Sequence, residues 1–341
     1  MKNIKLLIFA DTHLGFDFPV NPRIQRRRRG PDFFEKFRAI LREAKNEKVD
    51  FVVHGGDLFF RSKLPPKIID LVYHDLFEFA HHGIPLYIVP GNHERSLLPQ
   101  SLFLGHPNIH VFDVPKTFLF ETENIKVGLS GFPCVRYDIK SNFVKILPNI
   151  DPNHDIKLLC MHQTVEGAQV EHFTFRAGQD VIPMRDIPPH FDAVLSGHIH
   201  RKQILRKFID RAQTYLPVIY PGSVERTSFA EKNEPKGYFI IEFRYDDLNG
   251  KFTPKLLFKE LNTRPMVDIN LPNTISSDNL EDYLRKRIKA LPAEAVVRLK
   301  ASKHISNEIR TALTNSFLRS IFPETMNFQL SADFYQLSDR I

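Results

Sequence analysis

The chain of 341 residues has no tryptophan, five methionines and only two cysteines. Two thiols cannot staple a fold of this length. Cys134 and Cys160 each sit in or beside an apolar run, which points to buried thiols rather than to a disulfide framework or a nucleophile. No apolar run approaches the roughly 18–20 uncharged residues that a membrane-spanning helix needs, so no membrane partner is expected. The N-terminus enters a strand-like pattern at once, "MKNIKLLIFAD", without a small-residue cleavage site; a soluble cytoplasmic protein is expected. Internal repeats and low-complexity tracts are also missing. Charge is not one-sided: 47 Lys and Arg against 40 Asp and Glu leave +7, a surplus that suits a polyanionic partner without requiring one.

Core material is plentiful. Hydrophobic residues make up 42% and there are 30 phenylalanines, ample for two domains or for one large core with an appendage. One pattern dominates the first two hundred residues: an apolar, often β-branched run stops abruptly at a polar cluster. "IKLLIFA" leads to "DTH", "VDFVVH" to "GGD", "IPLYIVP" to "GNHE", "IKLLCM" to "HQ" and "FDAVLS" to "GHIH". Such runs, bounded by turn residues, read as buried strands. "PDFFEKFRAILREAKNEK" and "PPKIIDLVYHDLFEFAHHG" carry helical periodicity between them. Consecutive short strands follow in "IHVFDV", "KTFLFET" and "IKVGLSGF", and again in "LPVIYPGS", "GYFIIEFRY" and "PKLLFKEL". The expected class is α/β: two packed sheets with helices outside, a four-layer α/β sandwich rather than one doubly wound sheet. From Arg264 the character shifts to helix ("SDNLEDYLRKRIKAL"), strand ("EAVVRLKAS") and helix ("SNEIRTALTNSF"). This predicts a main domain over 1–263 and a small α+β C-terminal domain over 264–341.

In α/β sheets, ligands bind beyond the C-terminal ends of the strands, and all five polar clusters occupy that position. Together they offer Asp11, His13, Asp57, Asn92, His93, His162, His198 and His200. Any one of these has an ordinary explanation: a turn, a cap, or a satisfied buried histidine. Five strand ends in series carrying ligand-type residues do not. Imidazole, carboxylate and amide oxygen without thiolate suit Mn²⁺, Mg²⁺ or Fe²⁺ better than a cysteine-rich structural zinc. Seven ligands, with His93 set aside, exceed the needs of one ion, and two ions about 3.5–4 Å apart can share one carboxylate. Asp57, after Gly55-Gly56, is the natural bridge. If the chain stays extended past Gly197, His198 and His200 point the same way.

These motifs, in this order, resemble the signature of calcineurin-like metallophosphoesterases. "FADTHLG", "GGDLF", "PGNHE", "YPGSVERTSFAE", "KGY" and "RPMVDI" are most similar to SbcD-type DNA repair nucleases, with the YhaO-like branch nearest. The resemblance implies one metal held by Asp11, His13, Asp57 and His200, and a second by Asp57, Asn92, His162 and His198. It implies that His93 is not a ligand but faces the scissile phosphate, either protonating the leaving oxygen or only hydrogen-bonding the phosphate, with Glu94 or a neighbour setting its tautomer. It further implies two divalent ions, Mn²⁺ foremost, a DNA substrate, an SMC-like ATPase partner of SbcC type, a homodimer, and a DNA-facing capping role for the C-terminal piece. The chain departs from the pattern at Phe60, where many break-processing nucleases have histidine, and at Glu94, where aspartate is common.

An arginine run, Arg23 and Arg26, Arg27, Arg28 and Arg29, follows the first metal motif and suits contact with the DNA backbone through bidentate forks; the alternative is a charged loop pairing with Glu35 and Glu43 or touching a partner chain. "LRKRIK", Leu284 to Lys289, reads as the exposed face of an amphipathic helix or a second DNA contact. Phe173 and Phe175 can stack on an unpaired base or fill core, and Glu225 and Arg226 can order the metal loop or form an ordinary structural pair. Three functions stay open on these residues: an Mn²⁺-dependent DNA exonuclease or endonuclease in break repair, a small-substrate phosphomonoesterase or cyclic-nucleotide phosphodiesterase on the same fold, and a scaffold that holds an ATPase on DNA.

Overall fold

In a computed structural model of the protein, residues 3–17, 27–99, 105–209, 215–247, 250–301 and 305–331 are described. They divide into two compact units. The first is built from the chain up to Phe16, from Gly30–Arg226 and from Glu234–Leu261. The second holds the described residues from Asn262 onward, together with two earlier pieces: Asp17 with residues 27–29, and Thr227–Asn233. The expected boundary at 263/264 thus lies beside a transition at 261/262, and the two earlier pieces group with the second unit.

The first unit is the expected sandwich. One six-stranded sheet runs in the order Lys251–Glu260, Gly237–Asp246, Asn3–Phe9, Phe51–His54, Leu86–Ile88 and Ile109–Val111. The other runs Gln203–Phe208, Tyr215–Tyr220, Ala193–Gly197, Ile156–His162, Lys126–Gly131 and Lys116–Glu121. The inner strands of both are parallel; antiparallel strands flank them on both sides in the second sheet but on one side only in the first, where Ile109–Val111 is a parallel edge strand. Period-two alternation sorts the side chains. Leu6, Ile8 and Val53 of one sheet and Leu129, Leu158 and Leu195 of the other belong to a single buried cluster. The intervening Leu159, Met161 and Val194 join Phe143 of helix Ile139–Ile146 in a second cluster. Helices Gly30–Asn46 and Pro66–Ala80 connect the parallel strands of the first sheet, and Phe37 reaches Phe9 with ring centroids 6.1 Å apart. Strands buried on both faces must be apolar throughout, so the polar residues fall where the strands stop.

The second unit has a parallel three-stranded sheet, Met266–Leu271, Val296–Ala301 and Asn327–Leu330. Leu280, Leu284 and Ile288 of helix Ser277–Lys289 pack on Ile269, Val297 and Leu299. The expected last helix is two: Asn307–Ala312 and Asn315–Ile321. Thr314 breaks it, because its hydroxyl accepts the Phe317 amide at 3.1 Å and caps a new helix. Lys232 ties the 227–233 piece to this unit through Asp268 at 2.6 Å, and Arg298 lies over the Phe229 ring at 4.5 Å. Among the described residues no helix is long and apolar enough to cross a membrane.

Candidate metal centre

The two sheets meet at the C-terminal ends of their parallel strands. Gly197 N donates to Gly55 O at 3.1 Å, and Asp11 N donates to Gly56 O at 2.9 Å. Just beyond these ends the backbone turns left-handed at Asp11 (φ 52), His13 (φ 43), Asp57 (φ 53) and His198 (φ 85). Non-glycine residues enter this region at a cost of order 1–3 kcal/mol each, and such strain collects at functional sites. His198 therefore does not continue the extended strand Ala193–Gly197, and the two histidines do not point the same way. His198 Nδ1 lies 2.9 Å from Asn92 Oδ1, whereas His200 Nε2 lies 2.9 Å from His13 Nε2.

All seven ligand-type residues gather here. His162 Nε2 is 3.0 Å from Asn92 Oδ1 and 3.4 Å from Asp57 Oδ2; His200 Nε2 is 4.0 Å from Asp11 Oδ1. Three triplets each place one ligand atom per residue within 4.8 Å of one another: Asp11, His13 and His200; His13, Asp57 and His93; and Asp11, Asp57 and His162. Asp11, His13 and Asp57 each take part in two of them.

Several atoms fit a cation. His162 Nδ1 donates to Gly55 O at 2.8 Å, so in the neutral ring Nε2 carries the lone pair, and it faces two further acceptors, Asn92 Oδ1 and Asp57 Oδ2. Acceptors converge this way only around a proton or a cation. Asp11 Oδ2 and His13 Nδ1 are buried with no hydrogen-bond partner. Among the described residues, imidazoles alone come within ion-pair distance of Asp11 and Asp57. A donor set of carboxylates, an amide oxygen and imidazoles matches hard-to-borderline divalent ions.

Electrostatics follow from the burial. Burial raises the Asp11 carboxyl above its ordinary range and drives His13 well below its own. Burial, then the proximity of His162, lowers His198 to about 3. At Asp57 burial works upward but is overridden by His162 and the other imidazoles, which hold it below the usual carboxylate range. Burial in turn disfavours charge on His162, yet Asp57 holds it up at about 9.

Supporting residues hold these groups in place. Glu94 does not orient His93: its oxygens accept Phe59 N and Gly91 N, each at 2.6 Å, and burial followed by Asp57 pushes it up to about 8. The tautomer of His93 is set by a neighbour, the carbonyl of Phe60, to which His93 Nδ1 donates at 2.7 Å. The Phe60 ring lies beside His93 and His13, with centroids 5.6 and 6.0 Å away. Gly91 and Gly56 are required by space. A Cβ on the first would overlap Asp57 Oδ1, and one on the second, at φ 105, would overlap the His162 ring.

Two supporting residues escaped the sequence reading. His54 is buried and lowered to about 3, chiefly by burial, so its ring is neutral. Its Nδ1 accepts Gly56 N at 3.2 Å and its Nε2 meets Thr12 Oγ1 at 3.0 Å. It thereby ties the Asp11–His13 turn to the Gly56-Asp57 turn. A histidine closing the apolar run "VDFVVH" was the available signal. Lys236 has no exposed surface, and its Nζ donates to His200 O at 2.9 Å, an oxygen that also accepts Ser223 N at 3.1 Å. The 223–229 motif thus reaches the His200 turn through the Ser223 backbone, while Arg226 Nη2 donates to Glu234 O at 3.1 Å.

The remaining sequence candidates lie elsewhere. Arg23 and Arg26 are outside the described residues. Arg27, Arg28 and Arg29 group with the second unit. Arg27 pairs with Glu294 at 2.8 Å and its backbone N donates to Glu324 O at 2.9 Å; Arg28 pairs with Asp17, and Arg29 N donates to Asp17 Oδ2 at 2.9 Å. The acidic partners of Arg27 and Arg28 are thus Glu294 and Asp17 rather than Glu35 and Glu43. In "LRKRIK", Leu284 and Ile288 are core and Arg285 pairs with Glu281 at 2.7 Å. Phe175 packs against the core, whereas Phe173 is 56% exposed.

Three archaeal relatives bear the description DNA double-strand break repair protein Mre11. That of Methanosarcina acetivorans is 29% identical over 242 residues, covering 70% of this chain and 37% of the relative. That of Archaeoglobus fulgidus is 27% identical over 318 residues, covering 84% and 65%. That of Thermoplasma acidophilum is 26% identical over 333 residues, covering 92% and 81%. The chain therefore spans little more than a third of the first and about two thirds of the second. The family model for calcineurin-like phosphoesterases matches residues 4–202. That fold implies divalent metal ions, which the donor set here fits. Because the match takes in more than half of the chain and every strand-end cluster from Asp11 to His200, the chain belongs to the calcineurin-like phosphoesterase family.

Proposed function

We propose that the protein is a two-metal phosphodiesterase that acts on DNA, a manganese-dependent exonuclease or endonuclease in double-strand break repair. The observation that carries this reading is the convergence of seven buried or half-buried ligand-type side chains, Asp57 among them, in a chain whose relatives bear a break-repair description. Asp11, His13, Asp57 and His200 would hold one ion, and Asp57, Asn92, His162 and His198 the other. Mn²⁺ is the preferred ion, with Mg²⁺ and Fe²⁺ as alternatives. When bound, such ions lower the pKa of water towards about 7 and neutralise charge on phosphate oxygens.

The chain's own groups do the rest. Asp57 Oδ1 accepts His93 N at 2.9 Å, which fixes the His93 backbone against the shared carboxylate. With Nδ1–H committed to Phe60 O, His93 Nε2 is the atom left to exchange a proton. In the imidazolium form it donates to the departing sugar oxygen as general acid. Glu94 and Gly91 hold the loop on which His93 rides. The further parts of the reading rest on resemblance: an SMC-like ATPase partner, a homodimer, and backbone contact by Arg23 and Arg26–Arg29.

The test is end-labelled linear and hairpin DNA with Mn²⁺ or Mg²⁺, beside the small diester bis(p-nitrophenyl) phosphate, using wild type and Asp57→Ala. Wild type should cleave DNA in Mn²⁺, and Asp57→Ala should lose about 10²–10³-fold or more in rate, a loss typical of removing a main electrostatic contributor. Cleavage of the small ester alone, or full activity in Asp57→Ala, overturns the reading.

A further inference from the structure

A half-open cavity of about 240 Å³ adjoins the candidate metal centre. Asn92 and His198, both in the ligand set, form part of its wall; buried Cys134 and Gln163 line it further, with Val135, exposed Arg136 and Tyr137, and the carboxylate of Asp180. We propose that this cavity is the subsite for the nucleotide next to the scissile phosphate, with Tyr137 as the stacking platform for its base and Arg136 as the clamp on its phosphate. The proposal rests on the phosphodiesterase reading above and names the part of the substrate that the site grips.

Three observations carry it. First, Tyr137 is 72% exposed, the most exposed of the large hydrophobic side chains in the described residues. An aromatic ring left in water beside a polar centre is a ready π-face for a base. Second, Arg136 has no carboxylate partner among the described residues. Its guanidinium lies 5.3 Å from the Tyr137 ring centroid, and its Nη2 is 3.4 Å from the Tyr137 hydroxyl. The cation is thus placed against the ring; the carboxylate on the same wall, Asp180, accepts the Asp138 amide and forms no ion pair with Arg136, whose fork is left for a phosphate.

Third, the segment that bears the two side chains is pinned on both sides of them. Cys134 N donates to Pro90 O at 2.8 Å, Ser96 Oγ bonds Cys134 O, and Gln163 Nε2 donates to Val135 O at 3.1 Å. Beyond the pair, Asp138 holds φ 50 and its N donates to Asp180 Oδ1 at 2.9 Å. A rigid backbone carrying an exposed ring and a surface cation loses little freedom on binding. Pro90 and Ser96 flank the Gly91–Glu94 cluster, so the segment is tied to the loop that carries Asn92 and His93.

The experiment uses a single-stranded trinucleotide with phosphorothioate linkages and 2-aminopurine at one end or the other, titrated into the full chain with Mn²⁺. The fluorophore is quenched when it stacks. Wild type should quench one of the two probes. Tyr137→Leu should abolish that quenching and weaken binding about 10-fold, in line with the worth of one base–aromatic stack, while Tyr137→Phe retains both. Arg136→Ala should weaken binding about 10-fold and reduce the slope of log K against log salt by about 0.7, the share of one phosphate contact on a single strand. Both residues are at the surface, and an unchanged Mn²⁺ titration in each variant verifies an intact centre. Unaltered quenching and affinity in Tyr137→Leu and Arg136→Ala, or no binding of the trinucleotide by wild type, overturns the subsite. If wild type cleaves no phosphodiester but Tyr137-dependent quenching persists, the subsite stands and the catalytic reading falls.

Discussion

The ammonium of Lys236, fully buried, donates to the carbonyl oxygen of His200 at 2.9 Å and lies 3.3 Å from the Glu234 carboxylate. A buried lysine is tolerated only when it is paired and hydrogen-bonded, and here the pairing holds down the turn that presents His200. Lys236→Met preserves much of the length and removes the charge. It should destabilise the protein by about 1.5–3 kcal/mol, the range for a hydrogen bond to a charged group, and weaken Mn²⁺ binding by about 10-fold or more. Urea unfolding and a Mn²⁺ titration by electron paramagnetic resonance read the two effects. Wild-type metal affinity in the variant would remove the positioning role.

Gly91→Ala places a methyl group where Asp57 Oδ1 and Asp57 N already stand. Neither can retreat: the first holds His93 N, and the second is backbone. We expect a loss above about 3 kcal/mol, in the range of severe overpacking, together with loss of metal binding. Gly83→Ala is the control. Gly83 also has positive φ, at 80, but nothing stands within 4 Å of its added Cβ, so it should cost about 1 kcal/mol of backbone strain and leave Mn²⁺ affinity alone. Equal effects from the two substitutions would contradict the steric account.

His93→Gln keeps a polar side chain beside the Phe60 carbonyl and removes the titratable ring. Metal binding should survive, while DNA cleavage falls by about 10²–10⁴-fold, the usual contribution of a general acid or base. Single-turnover kinetics on end-labelled DNA separate this from weaker binding. An undiminished rate at full metal occupancy would leave His93 with only a hydrogen-bonding role.

Asp268 links Lys232, at 2.6 Å, to Arg298, at 2.6 Å. Burial acts to raise its carboxyl, but Arg298 and Lys232 override this and hold it at about 2. A group whose folded pKa lies below its unfolded value stabilises fully above the unfolded value, near 3.8, and loses that contribution as pH falls towards 2. Asp268→Asn should therefore be less stable than wild type at pH 7, and the two should converge as pH drops from about 4 to about 2. Hydrogen exchange of strands Met266–Leu271 and Val296–Ala301 across that range checks it. A gap that stays constant with pH would mean that the pair is not what matters.

The sandwich, and the meeting of the strand-end residues at one rim, were legible because they follow from short-range rules. Strands buried on two faces announce themselves as apolar runs, and whatever is polar at their ends has nowhere to go but the shared rim. Thus "IKLLIFADTH" and "AVLSGHIH" could be read without coordinates. What was not legible depends on closure in space. His54 looks like one more core position until Thr12 meets it from the turn after a neighbouring strand. Lys236 follows His200 by 36 residues and touches its carbonyl, which no local pattern encodes. Glu94 sits next to His93 in sequence yet turns to the amides of Phe59 and Gly91. The direction of His198 hung on one dihedral angle, since a left-handed residue reverses what strand alternation predicts. The partners of Arg27 and Arg28, Glu294 and Asp17, were hidden for the same reason: nothing in "RRRRG" says which acids will come near.

The left-handed backbone at Asp11, His13, Asp57 and His198 bears on how portable this centre is. Copying the seven side chains onto the ends of regular strands in another scaffold would aim four of them wrongly, because their direction is inherited from the chain path and not from their rotamers alone. A transplant has to bring the turns themselves, along with the glycines and the buried lysine that keep them in shape.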